Sequence, residues 1–156
     1  MKKVVIVLAL VVLVLVPVAA KGIGAIGLEA GDPSGITWKF DINKKWEGYA
    51  ILGLGFGGYL DAALGSQYKI TEFQAGKLTF DVKVGGQVAA LMHFGTYGYT
   101  QLAVRGTGAI CYNFSIENTG DFTVYLRLAL GPSFRLTNSF GVDFGWTSAL
   151  GCVYYL

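Results

Sequence analysis

In every strand-like stretch past residue 21 the ionised side chains stand at odd positions and the large apolar side chains crowd the even ones. The clearest run is Ile36-Thr37-Trp38-Lys39-Phe40-Asp41-Ile42, apolar at even numbers and polar at odd ones. Successive side chains of a strand point to opposite faces, so this alternation predicts strands with one greasy and one charged face. Glu29, Lys39, Asp41, Asp61, Lys69, Asp81, Lys83, Arg105, Arg127, Arg135 and Asp143 are all odd-numbered. The even positions carry Trp38, Leu52, Leu54, Phe56, Phe80, Val84, Val104, Leu126, Leu128, Leu130 and Phe144, with only Ser66, Thr100 and Ser148 as the main polar exceptions. A soluble barrel turns its apolar face inward. Here the apolar face is continuous and uncharged, as lipid demands, since a basic residue at the bilayer midplane costs roughly 2–4 kcal/mol. The expected fold is all-β: an eight-stranded antiparallel up-and-down transmembrane β-barrel with a polar lumen. A soluble lipocalin-like carrier is the alternative at the level of the fold.

Composition agrees. Hydrophobic residues make up 53% and charged residues 14% of the 156-residue chain, too apolar for an ordinary partition between core and surface. The one long apolar run, Val4 to Ala20, follows Met1-Lys2-Lys3 and ends Pro17-Val18-Ala19-Ala20, which supplies a basic start, an apolar middle and small residues before a cleavage point. We expect a signal peptide over residues 1–20 and a barrel domain over 21–156. An uncleaved anchor is the competing reading, because about 17 apolar residues lie at the lower limit for a span. Without Lys2 and Lys3, ten basic residues face ten acidic ones, and a neutral chain without a basic cluster gives no reason to expect nucleic acid.

Turn chemistry divides the barrel domain into eight pieces. Gly31-Asp32-Pro33-Ser34-Gly35 joins strands at about 22–30 and 35–42; Asn43 to Gly48 leads to about 49–57; and Gly57-Gly58 reverses the chain into about 59–70. Thr71 to Gly76 leads to about 77–94, Gly95 to Gly98 to about 99–114, Ser115 to Gly120 to about 121–137, and Asn138 to Gly141 to the last strand. Tyr68, Phe73, Phe94, Tyr97, Tyr99, Tyr112, Phe114, Phe122, Phe140, Tyr154 and Tyr155 cluster near the turns, as two aromatic girdles at the headgroup layers would.

The residues resemble those of small bacterial outer-membrane barrels of the OmpA-transmembrane-domain and OmpX type. They are most similar to short barrels whose first hairpin reads Gly-x-Pro-x-Gly before an aromatic-Lys strand, here Gly31 to Lys39, with an Arg on a late inward strand, here Arg105, and an ending of Gly151-Cys152-Val153-Tyr154-Tyr155. One departure is that such barrels end on Phe or Trp, the residue read by the barrel-assembly machinery, whereas this chain ends Tyr155-Leu156. The resemblance implies residence in the cell outer membrane and contact with outer-membrane lipid and with the assembly machinery; the oligomeric state is open, with a monomer favoured.

An eight-stranded barrel has room for its own side chains and little more. The lumen charges Lys39, Asp41, Asp61, Lys69, Asp81, Lys83, Arg105, Arg127, Arg135 and Asp143, with Glu29, are near balance, and buried ions must pair because each one standing alone costs several kcal/mol. We therefore expect a structural envelope component with a filled lumen and no open pore. A narrow small-solute channel is the alternative reading, and a lipid-modifying enzyme the remote one. Arg105 and Arg127 are expected to find partners among Asp61, Asp81 and Asp143. His93, the one histidine, has Met92, Phe94 and Gly95 beside it and no local nucleophile, so no catalytic residue is assigned. The two cysteines have no partners at ligand spacing, and Gly22-x-Gly24-x-x-Gly27 precedes no helix, so neither a metal nor a dinucleotide cofactor is expected. Cys111 should face the lumen and Cys152 the outside, two strands away, which forbids a disulfide.

Overall fold

The structure, a computed structural model, describes residues 24–94, 98–136 and 140–156. The expected signal peptide and the start of the first predicted strand lie outside the described residues, as does Tyr97. Eight strands follow one another: β1 (Ala25–Gly31), β2 (Ser34–Asp41), β3 (Trp46–Gly55), β4 (Tyr59–Ala75), β5 (Leu78–His93), β6 (Thr100–Ile116), β7 (Gly120–Arg135) and β8 (Gly141–Tyr155). Each pairs antiparallel with the next, and β1 pairs with β8 from Ala25↔Tyr155 to Gly31↔Ala149, closing the ring. Closure leaves no strand edge to aggregate.

The turns work as their residues dictate. The Ser34 hydroxyl accepts from Gly31 N and donates to Gly31 O, which locks the first hairpin. Gly58 takes φ of 72° and donates its N–H to Gly55 O, so the Gly57-Gly58 break is a true reversal of the chain. Two boundaries differ most from the sequence expectation. The Asn43 side chain accepts from the N–H groups of Lys45 and Trp46, a tight turn that lets β3 resume at Trp46, three residues before the expected start. In addition, β4 does not end near residue 70. The register shifts between Lys69 and Thr71, and the strand runs on to Ala75. That bulge inverts the parity beyond it, so Glu72 pairs with the inward Asp81 and Phe73 stacks outside on Phe80.

Apart from that bulged end, odd residues face in and even ones out. Leu126 and Phe144 are 48% and 73% exposed, and Glu29, Lys39, Arg105 and Arg127, among others, are buried. Outside, stacked or tilted rings run Phe73–Phe80–Tyr112–Phe114–Phe122–Tyr154 along the end where β1 starts and β8 finishes, with Trp46–Tyr68 beside them. Tyr99 and Tyr155 do not belong to a girdle. Their odd positions turn them inward, Tyr99 onto the His93 ring and Tyr155 towards the Thr123 hydroxyl.

Candidate functional site: the charged lumen

Inward side chains form a succession of polar groups from the end where β1 starts and β8 finishes to the opposite end. The mouth at the first end is a cavity of about 490 Å³ lined by Asp41, Lys45, Lys69, Asp81, Asn113 and Asp121, among others. There Lys69 Nζ lies 2.7 Å from Asp81 and 3.0 Å from Glu72, while Asp81 also accepts from Asn113. Asp41 stands exposed at this rim and makes no ion pair among the described residues. It belongs to the mouth and not to the buried network.

Below the mouth Glu47 is shared by two lysines, with Lys39 Nζ at 3.0 Å on one carboxylate oxygen and Lys83 Nζ at 2.6 Å on the other. Lys39 Nζ also sits 4.3 Å from the centre of the Tyr125 ring, a cation–π contact between buried side chains. The next group is centred on Arg127. Its guanidinium donates to Glu29 at 2.8 Å and to Gln87 at 2.9 Å; Tyr125 donates to Glu29 at 2.9 Å, and Tyr49 to Gln87 at 3.0 Å. The expected partners of Arg127 were Asp61, Asp81 or Asp143. Glu29 takes that place, while Asp81 is held by Lys69 and Asn113, and Asp143 by Arg135 and Gln101.

Two glycines make this network reachable. Tyr125, Gly151 and Glu29 are directly paired in one row across β7, β8 and β1, and Tyr49, Gly65 and Gln87 in one row across β3, β4 and β5. In each row the tyrosine ring lies where a Cβ on the glycine would be, so it crosses the middle strand flat and bonds the residue beyond. Any side chain at Gly151 or Gly65 would lift the ring off its acceptor.

Further along, Arg105 approaches Asp61 at 3.7 Å, with both side chains buried. At the far mouth Arg135 pairs with Asp143 at 3.1 Å, Asp143 also accepts from Gln101, and His93 Nε2 lies 3.4 Å from Gln101 Oε1. The His93 ring is sandwiched between Tyr99 and Tyr59, with centroids 4.2 and 4.9 Å away. Its Nε2 meets an amide and not a hydroxyl or thiol. Tyr59 in turn donates to Asp32 at 2.7 Å, tying the β1–β2 turn to β4.

Sequence reasoning missed Glu47, Glu72, Tyr49, Gln87 and Tyr125. Glu47 carried a signal, since Trp46-Glu47-Gly48-Tyr49 already alternates in phase with β3. Glu72 carried none, because its even number reads as outward until the bulge is known. The neutral partners had no charge to mark them. No protein-family model, curated protein or solved structure matches this chain.

Proposed function

We propose that this chain is an outer-membrane β-barrel: a structural component of a bacterial envelope, delivered by the signal peptide at residues 1–20 and closed along its lumen by paired charges. The observation that carries the reading is the outer belt. Leu28 on β1, Leu54 on β3, Val88 on β5, Val104 on β6, Leu130 on β7 and Trp146 on β8 are each more than half exposed. Apolar patches beyond a few hundred Å² are rare on soluble monomers, and a belt of this extent around a ring of strands calls for an apolar cover. Lipid acyl chains supply it, outer-membrane lipid being the partner and the barrel-assembly machinery the route. Closure in a ring satisfies every strand without a partner, so a monomer suffices.

The ion pairs support a sealed lumen. Glu47 with its two lysines and Arg127 with Glu29, Gln87 and Tyr49 occupy the bore in consecutive layers, and opening either would strand buried charges at a cost of several kcal/mol. The reading assigns no catalytic step. The test is refolding into lipid vesicles followed by flotation and planar-bilayer recording. Association with vesicles and no stepwise conductance is the expected result. Discrete conductance steps would favour the small-solute channel, and a chain that stays soluble without detergent would defeat the membrane reading.

A further inference from the structure

The lumen contains two buried arginine–carboxylate pairs of opposite character. Around Arg127 and Glu29 each group has direct protein partners at 2.8 to 3.0 Å. Around Arg105 and Asp61 this fails. The nearest approach is 3.7 Å, beyond hydrogen-bond range, and neither carboxylate oxygen of Asp61, nor Nε or Nη1 of Arg105, has a partner among the described residues. Both residues are more than nine-tenths buried. The attraction within a buried pair repays its desolvation only when the geometry is good and the remaining donors and acceptors are satisfied, and here they are not.

The wall beneath the pair explains the spacing. Asp61 is on β4 and Arg105 on β6, and β5 runs between them. Ala63, Ala89 and Ala103 are directly paired in a row across these three strands, each almost completely buried. Three methyl groups thus form the floor over which Arg105 reaches towards Asp61; Gly53, paired with Asp61 on one side, adds no side chain, while Leu91, paired with it on the other, and Ile51 belong to the same buried cluster as the alanines. The wall here is irregular too. Pro132 has no N–H to donate, and the β6–β7 register passes from Ala103↔Ser133 to Gly106↔Leu130 without a partner for Arg105.

An apolar floor, a neutral pair and unmet donors and acceptors on both members define a ligand that is uncharged, small, and able to give and accept hydrogen bonds. An anion would face Asp61 and a cation would face Arg105. We propose that Asp61 and Arg105 form a built hydration site, holding ordered water above the Ala63–Ala89–Ala103 floor. Water bridging a contact longer than about 3.5 Å is nearly as favourable as a direct bond, and a polar chamber with two to four partners retains it. The site makes this level of the lumen a hydrated layer beside the directly bonded Arg127 layer. It depends only on the interior of the barrel and stands apart from what surrounds the outside.

The experiment is water-to-methyl cross-relaxation in the refolded full barrel labelled at alanine methyls, in detergent micelles. Ala25, fully buried against Cys111 and Val153, is the dry reference. Water cross-peaks at Ala63, Ala89 or Ala103 with none at Ala25 are expected. Absence of all three would overturn the site. In the variant carrying both Asp61→Leu and Arg105→Leu those peaks should be lost. Their persistence there would mean that they are relayed through a hydroxyl such as that of Tyr59, which also overturns the proposal. The measurement on the native chain decides the matter even if the double variant does not refold.

Discussion

Arg127 Nη2 lies 2.8 Å from Glu29 Oε1, joining β7 to β1 across the inner face of β8 and linking residues 98 positions apart in the chain. The pair fastens the last strands to the first on the side where the ring closes. Replacing Glu29 by Gln leaves a buried guanidinium without its anion, and breaking such a pair costs about 3–5 kcal/mol. Replacing both residues by Met removes the charges together and should recover most of that loss. Urea unfolding of the refolded barrel, followed by tryptophan fluorescence, measures both.

The Glu47 group makes a sharper ranking. Glu47→Gln leaves Lys39 and Lys83 buried with no counter-charge, whereas Lys83→Met leaves the neutral Lys39–Glu47 pair intact. The first variant should be destabilised by about 3–5 kcal/mol and the second by distinctly less. Equal losses would mean that the two lysines do not share one anion.

These placements show how far the alternation carries. Eight strands and their antiparallel order follow from the turn residues, and the inward side of each charge in the phase of Ile36 to Ile42 from a period of two. What did not follow was set by contacts between distant strands. The bulge after Lys69 depends on how β4 and β5 settle their register, so Glu72 changed face unseen. The partner of Arg127 depends on the register of β7, β8 and β1, which an alternation of two does not set, and Gly151 acquires its role only when Tyr125 is known to lie over it. Glu47 was legible and was lost to reading Asn43 to Gly48 as one long turn.

Gly151 offers a direct check on that last relationship. Gly151→Ala puts a methyl group into the Tyr125 ring, breaking the Tyr125–Glu29 hydrogen bond, and should cost roughly 1–3 kcal/mol through overpacking. Gly108→Ala, on the outer face of β6 with nothing within 4 Å of the added methyl, should be neutral or stabilising by about 0.5–1 kcal/mol. Comparing the two unfolding midpoints tests whether the glycine is a seat for the ring.

The cysteines report the two faces of the wall. Cys111 is buried in the lumen and Cys152 exposed outside, and both are free thiols. In vesicles a charged thiol reagent should modify neither, an apolar maleimide should modify Cys152 alone, and unfolding should expose both. Modification of Cys111 in the folded barrel would indicate a reagent-permeable lumen.

The central claim is that the exposed apolar belt meets acyl chains, and Trp146, 72% exposed on the outer face of β8, is placed to report it. With Trp38 and Trp46 replaced by Phe, the fluorescence of Trp146 should be strongly quenched in vesicles of lipids brominated along their acyl chains and little affected by aqueous iodide. Quenching by iodide without quenching by the brominated chains would place the belt in water and contradict the account.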